Sequence, residues 1–233
     1  MNQPENEKLF DARFLSAITH DLAQPLHAAR LFASALEGKI PDNKQQQMVD
    51  NIHSSLEAAE KMLHEISLFG KVEAGKIPIL IEKVSIQQVI AEVVSQYSQL
   101  AIEQGVELKF IATKVVVQAD KVMLVRALQR LVSNALRFTQ NGKVVIGVRR
   151  KTCYCSLEIW DNGKGIAEED LVSIFDEFVR LQNHDLYNER CFGLGLAIVR
   201  RICAQIGCEV GVRSWLGKGS VFSLQLPYCS LLS

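Results

Sequence analysis

The chain has 233 residues, 48% hydrophobic and 22% charged, which is enough apolar content for one sizeable core or two smaller ones. Its 26 basic and 26 acidic side chains cancel, so bulk charge gives no reason to expect a nucleic-acid or anionic-membrane surface. No apolar run approaches the roughly 20 residues of a bilayer crossing, and the polar start MNQPENEK lacks the basic-then-apolar order of a signal peptide. A soluble, cytoplasmic segment without membrane contact is therefore expected, standing by itself or as the cytoplasmic part of a larger or membrane-bound receptor.

Residues 10 to 36 place Phe10, Phe14, Ile18, Leu22, Leu26, Ala29, Ala33 and Leu36 at helical spacing, and Gly38 and Pro41 then stop the helix. Residues 43 to 69 repeat the pattern through Met48, Ile52, Leu56, Ala59, Leu63 and Ile66. Two helices of similar length with a short connection pack antiparallel, and a lone hairpin buries little, so a homodimeric four-helix bundle is expected. The run GKVEAGKIP, residues 70 to 78, carries two glycines and a proline and reads as the hinge into a second unit.

From there the pattern is mixed. Ser85 and Gln88 suggest a capping box opening a helix that Gly105 closes, and VELKFIA follows as a strand. Asp120 can cap a further helix to about Phe138. KVVIGVRR and CYCSLEIWD read as a strand pair, GLGLAIVRRICAQIG as a helix, and CEVGVRS and SVFSLQLP as closing strands. The fold class is α+β: a helical hairpin followed by a sheet with its helices on one face. The six cysteines are irregularly spaced without a C-x-x-C pair, which favours reduced, buried thiols over disulfides or zinc.

Chemistry concentrates in a few short stretches. In ITHDLAQPL, residues 18 to 26, His20 falls opposite the apolar stripe and so faces water. Asp21 beside it can orient the imidazole or take its proton, leaving a ring nitrogen free to attack an electrophile. Pro25 removes the backbone bond to the Asp21 carbonyl, at about 3 kcal/mol in a helix interior, so the bend is not there for stability. Asn134 in LVSNALRFT offers a hard oxygen suited to magnesium, and Arg137, three residues on, can meet phosphate oxygens. DNGKGI, residues 161 to 166, sets a carboxylate at a strand end before Gly163 and Gly165, where backbone can approach a ligand closely; Asp161 can accept from an amine such as adenine's. GLGL (Gly193, Leu194, Gly195, Leu196) opens a helix whose free amides suit phosphate, and GKGS (Gly217, Gly219, Ser220) adds another glycine turn. Each glycine pair alone is also what an ordinary tight turn needs.

In this order the stretches resemble the catalytic core of a bacterial sensor histidine kinase. FLSAITHDLAQPL is similar to that family's H box, LQRLVSNALRFT to its N box, and DNGKGI to its first glycine box. IFDEFVRL looks like its F box, and GLGL and GKGS like the second and third glycine boxes. The resemblance implies a dimerisation and histidine-phosphotransfer hairpin over residues 1–72, a hinge at 73–78, and an ATP-binding domain over 79–233. The latter is of the type shared with the gyrase, Hsp90 and MutL ATPases. It implies autophosphorylation of His20 from ATP with magnesium, helped by Asp21, then transfer to an aspartate of a response regulator receiver domain. Asn134 would hold the metal, Arg137 the phosphates and Asp161 the adenine, with Gly163 and Gly165 shaping the pocket. LQNHDLYNERCF, which contains Tyr187 and Arg190, would be the lid. His27 and His184 read as surface residues.

Two positions depart from the family pattern. Arg130 stands where a second asparagine is usual, which raises the alternative of a degenerate kinase serving as a dimeric nucleotide-binding scaffold. Gln24 replaces the threonine or asparagine linked to dephosphorylating the regulator.

Overall fold

The computed structural model describes residues 22–23, 26–34, 43–73, 75, 77–179 and 193–228. They divide into two compact units, one helical and one α/β beginning at Pro78.

The helical unit contains α1 (26–34) and α2 (Asn43–Glu73). Ser34 Oγ lies 3.4 Å from His53 Nε2, and Arg30 Nε lies 3.2 Å from Glu60. Contacts that descend one helix as they climb the other make the pair antiparallel, as the matched periodicities predict. α2 runs through Glu73, past the first residues of the glycine-containing stretch. Ala33 and Val49 are buried, whereas Leu31, Phe32, Met48 and Ile52 are exposed in the single chain. His27 sits at the surface beside Arg30 and Glu60.

The α/β unit is a five-stranded sheet under three helices. Its elements are β1 (Glu82–Ser85), α3 (Ile86–Glu103), β2 (Glu107–Phe110), β3 (Val116–Ala119), α4 (Lys121–Phe138), β4 (Lys143–Arg150), β5 (Tyr154–Asp161), α5 (Gly195–Gln205), β6 (Glu209–Trp215) and β7 (Gly219–Pro227). The sheet order is β2-β4-β5-β7-β6, with β2 and β4 parallel and every other pair antiparallel. Register puts Ile146, Ile159 and Phe222 in one cross-strand row and Val148, Leu157 and Leu224 in the next, all on the face packed against the helices. α4 contributes Leu124, Leu128, Leu131 and Leu136, all at most 1% exposed, to the same core. Its apolar stripe at helical spacing is what makes it the central helix.

Two predicted features differ. Ser85 is the N-cap of α3 but its side chain makes no capping bond, so the Ser85–Gln88 box does not form; Gln87, one residue earlier, instead accepts from Thr113 N at 2.8 Å. The two-stranded sheet of β1 and β3 has no counterpart in the sequence reading, because four-residue strands are too short to show alternation. Asp120 does cap α4, accepting from Met123 N at 2.9 Å, and its second oxygen accepts from Leu80 N at 2.8 Å. Of the four cysteines among the described residues, all free thiols, Cys155, Cys203 and Cys208 are buried as expected, whereas Cys153 is exposed in the β4–β5 turn; burial pushes the Cys155 thiol up to about 11. Among the described residues no helix is long and apolar enough to cross a membrane.

Candidate functional site

The C-terminal end of α4, the end of β5 and the β6–β7 turn converge. β5 stops at Asp161, whose Oδ1 accepts from Gly163 N at 2.9 Å and from Ser220 N at 3.2 Å. Among the described residues Oδ2 takes no bond, which leaves it as an acceptor for an incoming donor. Burial pushes the Asp161 carboxyl above the usual aspartate range, and the two backbone amides oppose that rise.

The glycines are explained by what surrounds them. A Cβ on Gly163 would stand 2.2 Å from the carbonyl oxygen of Phe138, the last residue of α4, and Lys164 N donates to that same oxygen at 3.3 Å. Gly165 has φ +70° and a Cβ there would meet Trp215 O at 2.1 Å, while Gly217 N donates to Lys164 O at 2.6 Å. Gly219, at φ +112°, would place a Cβ 2.0 Å from Asp161 O. No side chain fits at any of the three, so backbone from three elements is packed at contact distance around one carboxylate. Ser214 Oγ seals the arrangement, accepting from Ile166 N at 2.8 Å and lying 2.8 Å from Ser220 Oγ.

On α4, Asn134 and Arg130 are one turn apart and both half-buried. The helix is fixed laterally by Gln129 Nε2, which donates to Gln96 of α3 at 2.6 Å. Tyr97 of α3 bonds Ser133; burial pushes its phenol up, and the Ser133 bond and the charge of Arg130 oppose that. Arg130 therefore stands within electrostatic reach of the α3 flank. The guanidinium of Arg137 and the ammonium of Lys164 both lie over the Phe138 ring, at 5.4 and 5.1 Å. Among the described residues no three His, Cys, Asp or Glu side chains converge as a metal cage. A single amide oxygen at Asn134 suits magnesium carried in on phosphates, which keeps several waters, and does not suit an ion held by protein alone.

α5 opens at Gly195, with Gly193 in the left-handed region at φ +71°, Leu194 buried and Leu196 half-buried. Its Arg200 pairs with Asp176 at 3.2 Å and its Arg201 with Glu177, which anchors the IFDEF stretch to the helix. The structure thus gathers Asp161, Gly163, Gly165, Gly217, Gly219 and Ser220, and sets the α4 end that follows Asn134 and Arg137 against them. His20, Asp21, Gln24, Tyr187 and Arg190 lie outside the described residues. The sequence reading missed Phe138, Lys164, Ser214 and Trp215. Lys164 lies inside DNGKGI and Phe138 inside LVSNALRFT, but all four acquire a role only through contacts across the fold.

The α/β layering and this glycine-walled carboxylate define a nucleotide-binding module attached to a helical pair, and family models match both parts. The His Kinase A (phospho-acceptor) domain matches residues 11–75, and the histidine kinase-, DNA gyrase B- and HSP90-like ATPase matches residues 119–230. The chain belongs to the histidine kinases, as their phosphoacceptor and ATPase core. It is 31% identical to an uncharacterized sensor-like histidine kinase of Rhizobium meliloti, over 92% of this chain and 42% of that one. It is 29% identical to the autoinducer 2 sensor kinase/phosphatase LuxQ of Vibrio vulnificus, over 93% and 26%. The fold matches full-length ShkA, solved in complex with AMPPNP, at a TM-score of 0.78 and 25% identity, over 93% of this chain and 46% of that one. The chain spans less than half the length of these relatives.

Proposed function

We propose that this core uses ATP to phosphorylate His20 and passes the phosphoryl group to an aspartate of a response regulator receiver domain. The observation that carries the proposal is the half-buried Asp161 carboxylate, ringed by glycine backbone and set against α4, in a chain whose residues 11–75 match a phosphoacceptor domain. In this reading Asp161 Oδ2 accepts from the adenine amine, Arg137 and Lys164 face the phosphates, and Asn134 holds magnesium by its amide oxygen. Magnesium held there would supply positive charge against the negative charge that develops on the phosphates. A ring nitrogen of His20 attacks the γ-phosphorus, the bond to the β-bridging oxygen breaks, ADP leaves, and Asp21 takes the imidazole proton. Label from radioactive ATP should become acid-labile and base-stable on the protein; a chain that binds ATP and stays unlabelled would leave the scaffold reading in its place.

We infer a homodimer as the working form. Leu31, Phe32, Met48 and Ile52 expose large apolar side chains that a second hairpin can cover. Light scattering at micromolar concentration should read twice the monomer mass, and a monomer there would remove the inference.

Arg130 bears on the rate. Its charge sits one turn before Asn134, where it can pair with the triphosphate and crowd the metal's water shell. Arg130→Asn is expected to raise the autophosphorylation rate several-fold and to make nucleotide binding more magnesium-dependent. Unchanged rate and unchanged metal dependence would make Arg130 a rim residue.

A further inference from the structure

The five-stranded sheet has a second face, and no described element of the α/β unit packs on it. Register assigns to it Arg149 and Ser156 in one row, Glu158 in the next, and Trp160, Val221 and Arg213 in the third. Glu158 is only 5% exposed, yet it is fully served. Its Oε2 accepts from Arg149 Nε at 2.9 Å and from Trp160 Nε1 at 2.9 Å, its Oε1 accepts from Ser156 Oγ at 3.3 Å, and Arg213 approaches at 3.8 Å. Both guanidiniums lie against the Trp160 indole, at 5.3 and 5.7 Å, while their side chains remain 59% exposed.

This arrangement is preorganised. The buried carboxylate fixes two arginines and a tryptophan in place, so little side-chain entropy remains to be lost when something binds over them. Tryptophan and arginine are also the residues that dominate binding hot spots. The charge is unbalanced: register puts Lys109, Lys143, Arg149 and Arg213 on this face and Lys151 continues it into the β4–β5 turn, against Glu107, Glu158 and Glu209, while Arg150, opposite Cys155, belongs to the other face. Five basic groups thus accompany three acidic ones, and one of those three, Glu158, is already consumed in the floor.

We propose that this open sheet face, centred on Trp160 between Arg149 and Arg213, docks an acidic segment of a partner protein. Carboxylates of the partner pair with the outward nitrogens of the two guanidiniums, and its intervening side chains rest on the indole. The positive patch is small and the chain as a whole is neutral, so a short acidic segment suits it better than a long polyanion such as nucleic acid.

Both tryptophans of the chain, Trp160 and the half-exposed Trp215, lie on this face, so intrinsic fluorescence reports on it directly. The full chain should show a saturable change on titration with a synthetic peptide alternating glutamate with serine, and raising the salt should weaken binding. Arg213→Gln is the informative variant, because Arg213 makes only the long contact to Glu158 and its loss leaves the short bonds intact. It should weaken the peptide roughly tenfold, the loss of one charge-assisted contact, and leave autophosphorylation and the unfolding temperature unchanged. Lys151→Gln, on an exposed side chain away from Glu158 and opposite Tyr154, should weaken the peptide in the same direction. The proposal is overturned by no fluorescence change up to millimolar peptide, by a change that both variants leave intact, or by a single-stranded oligonucleotide of equal charge binding more tightly than the peptide.

Discussion

His20→Gln should give a protein that binds ATP with unchanged affinity and takes up no phosphoryl group at all. Glutamine keeps a polar side chain of similar reach at a position that the apolar periodicity assigns to water, so the hairpin and its association should be untouched. It has no nitrogen lone pair basic enough to attack phosphorus, and no other histidine in the sequence combines an adjacent carboxylate with a proline four residues past that carboxylate. The measurement is acid-labile, base-stable label after incubation with ATP and magnesium, read beside nucleotide binding on the same preparation. Persistent histidine label in the variant would move the phosphoacceptor elsewhere. Loss of label together with loss of ATP binding would point to damage to the fold.

Asp161→Asn separates the other half of the reaction. The amide oxygen of asparagine can still accept from Gly163 N and Ser220 N, so the local backbone should hold. The second acceptor becomes an NH₂ donor facing the adenine amine, which removes a charge-assisted bond worth roughly 1.5–3 kcal/mol and weakens ATP about ten- to hundredfold. Stability should move the other way. Burial raises the Asp161 carboxyl in the folded protein, so the fold holds that proton more tightly than the unfolded chain does. Ionisation therefore weakens the fold as pH rises through the carboxyl range, and the amide removes this cost. The expected pattern at neutral pH is an equal or higher unfolding temperature with much poorer ATP binding. The parent should also lose ATP affinity on acidification sooner than an ordinary, unshifted aspartate would allow, because protonation removes the acceptor, and the variant should lack that dependence. Retained ATP affinity in Asp161→Asn would remove Asp161 from adenine recognition.

Much of this architecture is legible in the chain itself. α4 is readable because its apolar stripe, its Asp120 cap and its length agree, and local agreement of that kind survives packing. The antiparallel helical pair is readable for the same reason, since two long stripes joined closely have few other ways to bury themselves. The glycine stretches are readable as positions where backbone must come close. Gly165 and Gly219 do take positive φ, a conformation that other residues adopt at a cost.

The identity of what comes close is decided only by the tertiary structure. Gly163 is glycine because Phe138 O, twenty-five positions earlier, occupies the space its Cβ would need, and Gly219 because Asp161 O does. Neither neighbour has any local signal, because the contact exists only once α4, β5 and β7 are stacked. The same holds for Lys164 beside Phe138, for the pairing of β1 with β3, and for the failure of Ser85 to cap α3. Local rules offer each of these several near-equal choices, and packing selects one. Sequence periodicity and turn chemistry thus determined the elements and the residue types at the site, through forces acting within a few residues. Which side chains share a pocket, and how far Asp161 is withdrawn from water, follow from long-range close packing that local sequence does not encode.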